Sequence, residues 1–177
     1  TGRYVRAGSG VLAATILSVD ILTGAFSSNR DGASLRYTDT NNWLMVVSTY
    51  CSNSYRTISL VKRVAATVTT IASVNVTPPY PTSWVTLTVG ADASGNCMVY
   101  YGPQGGATSP IMLTLADANL ATAGTIASGG YGIYDSNISA TAATRYYDNF
   151  TVSTLATSAT IINPAINSGY GLDLKHN

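Results

Sequence analysis

The sequence predicts an all-β protein, a sandwich or barrel of short antiparallel strands, on three observations. Apolar and polar residues alternate with a period of two in one segment after another, no helical period is sustained, and turn-forming clusters recur at short intervals. The composition agrees with the pattern. Of 177 residues 46% are hydrophobic and only 10% charged, and the polar remainder is mostly Ser, Thr, Asn and Gly. Thr, Val, Ile and Tyr suit a pleated, half-buried surface. The length suits one domain with a substantial core.

The elements follow in order. "GRYVRAG" and "AATILSVDIL" read as the first strands, and "TGAFSSNRDG" as a loop. "ASLRYTD" and "NWLMVVSTY" are joined by a polar Asp-Thr-Asn-Asn turn. "YRTISLVKRV" and "TVTTIASVNV" are joined by a short Ala-Ala connection. In the first of that pair Ile58, Leu60, Lys62 and Val64 oppose Thr57, Ser59, Val61 and Arg63, as in a half-buried antiparallel strand. "TPPYPTS" cannot continue a central strand, because its prolines remove ladder donors. "WVTLTVGAD" and "NCMVYYG" flank the hairpin signal "ASG", with Val85, Leu87, Val89 and Ala91 on one face. After "PQGGATSP" come "IMLTL", the loop "ADANLATAGTIASGG" with a single helix-like turn around 117–122, and the strands "YGIYD" and "ATRYYDNFTVS". Residues 1–155 make up the domain, and the less regular 156–177 form a tail or an edge strand.

Several function classes fall away on composition. The formal net charge of +1 offers no footing for nucleic acid or an anionic membrane surface. The chain contains no glutamate and one histidine, His176, so chemistry built on Glu, a His base or a His-rich metal site lacks its residues. "VLAATILSVDILTGAF" follows two arginines in the manner of a signal or membrane segment. Asp20 interrupts it, however, and the apolar run is too short to span a bilayer, so it reads as a strand. Cys51 and Cys97 allow either one disulfide or two buried thiols. A start at Thr rather than Met suggests a processed product or a piece of a longer chain, and the strand-like tail suggests copies that pair with one another.

Taken together, "GASLRYTDTNNWLMVVS", "SLVKRV", "TVTTIAS", "TSWVTLTVGADASGNCMVYYG", "ASGGYGIYD" and "RYYDNFTVS" resemble the concanavalin A-like lectin/glucanase superfamily. The style is that of LamG-like domains related to family 16 glycosidases, and the resemblance covers about residues 10–153. It implies a jelly-roll sandwich of two antiparallel sheets, one of them concave, with first and last strands adjacent. The superfamily includes glycosidases, lectins and modules that only bind or build, so the fold does not set the function. Its glycosidases carry two glutamates and an aspartate at alternating strand positions. This chain has no Glu and no two Asp residues two or four apart, so the catalytic set is absent and no enzymatic activity is expected.

The resemblance also implies a site for a structural calcium at Asp148, although no cofactor is required. The plain alternative is that Asp148 and Asn149 satisfy backbone donors where the last strand meets the first. A glycan site would use exposed aromatic rings beside polar groups that read hydroxyls. Arg36, Tyr37, Asp39, Trp43, Tyr101 and Tyr134 are the candidates, while Arg36 and Asp39 are also placed to pair with each other. Sequons at Asn75, Asn137 and Asn149 arise easily by chance in so Thr/Ser-rich a chain. The expected function is a non-catalytic extracellular structural or adhesion module, as in a phage tail, fibre or capsid decoration at a virion surface. Its partners would be a glycan or neighbouring copies of itself. A carbohydrate-binding module of a secreted enzyme or adhesin is the alternative, and a glycoside hydrolase is disfavoured.

Overall fold

A computed structural model describes residues 3–8, 15–22, 29–52, 55–77, 83–104, 111–114, 116–137 and 146–154. The tail expected from residue 156 lies outside them. Eleven strands form two antiparallel sheets. They are β1 (Arg3–Gly8), β2 (Thr15–Leu22), β3 (Asn29–Asp39), β4 (Asn42–Ser52), β5 (Tyr55–Val64), β6 (Thr67–Val76), β7 (Trp84–Ala91), β8 (Cys97–Pro103), β9 (Met112–Thr114), β10 (Gly130–Asn137) and β11 (Tyr146–Thr154). The six-stranded sheet runs β1-β10-β3-β4-β5-β6, and the five-stranded sheet β11-β2-β7-β8-β9. Residues 117–122 form a turn in which the Leu120 and Ala121 amides both donate to the Asp117 carbonyl, and no longer helix is present among the described residues. No helix there is long and apolar enough to cross a membrane.

The core lies between the sheets, and on β5 and β7 it is filled by the alternating positions anticipated from the sequence. Leu17, Val19 and Ile21 of β2, Val85, Leu87 and Val89 of β7, Leu44 and Val46 of β4, and Ile58 and Leu60 of β5 are all at most 1% exposed. Full burial of such a side chain contributes roughly 1.5–3 kcal/mol, so these positions dominate the stability. Both cysteines are free thiols: Cys51 is exposed on β4, while Cys97 is buried on β8 in the opposite sheet. Burial pushes the Cys97 thiol up to about 12.

Three local devices adjust the alternation. In β3 the register slips between Ser34 and Arg36, so Leu35 and Arg36 both turn inward and Tyr37 comes out opposite Trp43. In β11 Asn149 and Phe150 together face Val19, between the pairs Asp148–Asp20 and Thr151–Ser18, and Asn149 adopts φ 49°. That extra residue returns Phe150 to the interior, where it stacks on Tyr131 of β10 at 6.3 Å between ring centroids and joins the sheets along one side. The Ala65-Ala66 hairpin between β5 and β6 holds both alanines at positive φ, 47° and 70°. Such a turn matches the strand twist, but glycine or asparagine usually makes it.

Candidate functional site

The outward face of the six-stranded sheet is read from the register as four rows. One row runs Gly130, Tyr37, Trp43, Arg63, Val68, and the next Gly132, Ser34, Met45, Val61, Thr70. A third runs Tyr134, Gly32, Val47, Ser59, Ser73, and a fourth holds Arg30, Thr49, Thr57 and Asn75. Three of the expected site residues, Tyr37, Trp43 and Tyr134, therefore share this face. Tyr37 and Trp43 are direct cross-strand partners, which brings their Cβ atoms within about 4.5–5.5 Å. Tyr134 lies two rows away, about 13 Å along the strands at about 3.3 Å per residue. The positions between, Gly32, Ser34 and Gly132, are small and buried, and the Ser34 hydroxyl donates to the Leu44 carbonyl at 3.2 Å. Gly32 has to be glycine, because a Cβ there would fall 1.9 Å from the Val46 carbonyl oxygen.

A polar ladder crosses the same face toward β6. The Cys51 Sγ lies 3.2 Å from the Thr57 Oγ1, which donates to the Asn75 Oδ1 at 2.9 Å. The hydroxyls of Ser59 and Ser73 pair at 3.2 Å. At the aromatic end two turns are tied together. Arg63 donates from Nη1 to the Thr40 carbonyl at 2.8 Å and from Nε to the Ala66 carbonyl at 3.2 Å. The Asn42 Oδ1 accepts from the Ala65 amide at 3.1 Å. Asp39 closes its own turn by accepting from the Asn41 amide at 2.6 Å and from the Asn42 side chain at 3.0 Å. Those hydrogen bonds, Asn42 foremost, hold its carboxyl below the usual range. The strained alanine hairpin thus forms the rim beside Trp43 and Arg63.

Arg36 and Tyr101 take no part in this face, which corrects the expected ligand set. The bulge at Leu35 turns Arg36 inward, where it is 0% exposed. Its Nη1 donates to the Leu120 carbonyl and, at 3.4 Å, to that of Ile126, while Nη2 donates to the Asp92 carbonyl at 2.8 Å. The guanidinium pins residues 116–129 and the β7–β8 hairpin over one end of the sandwich, so the expected Arg36–Asp39 pair is replaced by separate roles. Asp92 continues the network, its Oδ1 accepting the Ser94 and Asn96 amides at 2.9 Å each. Lys62 reaches the same end and contacts Asp117 at 2.6 Å. Tyr101 faces Leu87 across β7–β8 and is 8% exposed between the sheets. Burial pushes its phenol up to about 12, with the Arg56 and Asp31 charges acting in opposite senses.

Asp148 sits on the outward face of the other sheet, opposite Asp20 in register. Its Oδ1 accepts the neighbouring Asn149 amide at 2.8 Å. Asp20 accepts Thr86 Oγ1 at 2.5 Å on Oδ1, and Gln104 Nε2 at 2.9 Å and Asn149 Nδ2 at 2.7 Å on Oδ2. Calcium is held by converging oxygen acceptors. Here N–H and O–H donors converge on one carboxylate, and no group of three or more His, Cys, Asp or Glu residues is found among the described residues. The hydrogen bond from Asn149 ties the closing strand to β2.

A pH dependence follows. Burial alone would raise the Asp20 pKa, but the hydrogen bonds from Asn149, Thr86 and Gln104 outweigh it and the net shift is downward. A depressed folded-state pKa contributes stability that is fully present above the unfolded value of about 3.9 and is lost as pH falls through the lower folded value. Urea midpoints taken from about pH 6 down to about pH 2.5 should therefore drop on the acid side, less steeply in Asp20→Asn.

No family model and no curated protein matches the chain. Solved structures do. The carbohydrate-binding module CBM66 from Bacillus subtilis aligns at a TM-score of 0.60 with 12% identity, over 86% of this chain and 82% of that one. A mutant of the GH43 protein BlXynB from Bacillus licheniformis aligns at 0.63 with 16% identity over 86% of this chain, which spans only 32% of that protein. Toad ovary galectin, solved in complex with thio-digalactose, aligns at 0.55 with 9% identity, over 86% of this chain and 98% of that one. At these identities the likeness concerns the fold alone, a jelly-roll sandwich of two antiparallel sheets.

Proposed function

We propose that this chain is a non-catalytic, LamG-like sugar-binding module that works outside the cell, with its ligand on the outward face of the six-stranded sheet. The observation that carries this reading is the placement of Tyr37, Trp43 and Tyr134, each half-buried, on one face with the Thr57–Asn75 and Ser59–Ser73 pairs. Aromatic rings offer flat apolar surfaces to sugar faces, and hydroxyl and amide groups exchange hydrogen bonds with sugar hydroxyls. The solved carbohydrate-binding module and galectin of similar fold support it. Asp39 stands at the rim without a carboxylate partner on the four rows, and the sequence has no glutamate, so the two-carboxylate machinery of glycoside hydrolysis has no counterpart on this face. The virion or scaffold role rests on composition alone and takes second place.

A glycan array followed by titration tests the reading. Trp43→Ala and Tyr134→Ala should each weaken binding about tenfold, the equivalent of about 1.4 kcal/mol. Trp84→Ala, on the outward face of the other sheet, should leave it unchanged. No binding across the array, or binding indifferent to Trp43 and Tyr134, would overturn the assignment.

A further inference from the structure

The two sheets have four edges, and three of them are guarded against pairing with another chain. β1 carries Arg3 and Arg6 and slips register between Arg6 and Gly8. β9 is three residues long. β11 carries Asp148 and the bulge at Asn149. Charge, shortness and bulges are the devices that blunt edges. The fourth edge, β6, is ten residues of "TVTTIASVNV", without a charge, a proline or a glycine. It is rich in β-branched residues, Val68 is 58% exposed, and β5 is its one neighbour among the described strands. Its only guard is a register slip at Ile71, which leaves Ala72–Val76 in unbroken register against β5 from Leu60 to Arg56.

We infer that β6 is a self-association edge, where a second copy of this chain pairs antiparallel about a two-fold axis at Val74. The occupant follows from the strand's own self-complementarity. In that register Val74 meets Val74, and Ala72 meets Val76, on the side that packs against the core. Ser73 meets Asn75 on the outward side, so the hydroxyl and amide pairs to Ser59 and Thr57 continue across the axis into the second copy. No like charges meet, apolar positions meet apolar ones, and each open row of backbone donors and acceptors gains a partner. The two six-stranded sheets become one continuous sheet, and both outward faces lie on the same side. Self-association does not depend on sugar binding, and each can fail without the other.

Analytical ultracentrifugation of the whole chain over about a hundredfold range of concentration tests the inference. The mass should rise from the 18.4 kDa monomer to twice that value. The doubly substituted Ser73→Lys/Asn75→Lys chain alters two exposed outward positions and sets four lysines around the axis. It should need about tenfold more protein, or greater, to dimerise, whereas Ser73→Ala/Asn75→Ala, which loses the same pairs to Ser59 and Thr57 without adding charge, should have a similar thermal midpoint at low concentration and still dimerise. In the wild type, amide exchange within 72–76 should slow as concentration rises. A monomer at every concentration, or a dimer that is indifferent to the lysines and unprotected at 72–76, would overturn it.

Discussion

Arg36→Met is expected to lose about 3–5 kcal/mol of folding stability, which shows as a lower urea midpoint at unchanged slope. The expectation rests on what the guanidinium holds. Carbonyls of Leu120, Ile126 and Asp92 converge on it in a region where Leu120 and Ile126 are 0% exposed. Methionine fills the space but donates nothing, and each buried carbonyl that loses its donor costs about 1–3 kcal/mol. Arg36→Lys keeps the charge and loses the fork, so its loss should be intermediate. Against a total stability of roughly 5–15 kcal/mol, the methionine variant is close to unfolding at ordinary temperature. A loss below about 1 kcal/mol would mean that residues 116–129 are held by their own turns and by Lys62–Asp117.

A comparable loss is expected at the other end of β5. Arg56 and Asp31 form an ion pair at 3.3 Å and each is 1% exposed, while the Arg56 Nη1 also donates to Ser48 Oγ at 2.9 Å. Arg56→Met takes the cation from a carboxylate buried between two sheets, at a cost of about 3–5 kcal/mol. Removing both charges is a different matter. Asp31→Leu/Arg56→Met should recover most of that loss, because an apolar pair has no desolvation to offset. The coupling from a double-mutant cycle in urea is the measurement, and additive single losses would show that the two side chains act separately.

The strands were legible in the sequence because a period of two survives in nearly every segment, and the partition of Val85, Leu87 and Val89 from Thr86 and Thr88 came out as read. Bulges were not legible. A single extra residue at Leu35 reversed the facing of Arg36, so "RYTD" looked like an exposed polar cluster when its first residue is core. Tyr101 was ambiguous for another reason: Cys97 through Tyr101 are buried on both faces, so alternation there carries no contrast. The grouping of Tyr134 with Tyr37 and Trp43 depends on β10 lying beside β3, a pairing of distant segments that local pattern cannot supply. In "YYDNF" the bulge sets the facing of each side chain: it lets Asp148 face outward while Tyr147 and Phe150 both pack on the core.

The hydroxyl and amide ladder on the six-stranded sheet has a consequence for ionic strength. Salt weakens interactions between exposed charges, with a screening length of about 10 Å at 0.1 M, but has little hold on pairs of neutral dipoles. The outward rows join their strands through Thr57–Asn75 and Ser59–Ser73, and the ion pairs Arg56–Asp31 and Lys62–Asp117 lie within the sandwich or largely shielded at its end. The sheet is therefore built to keep its geometry from fresh water to brine.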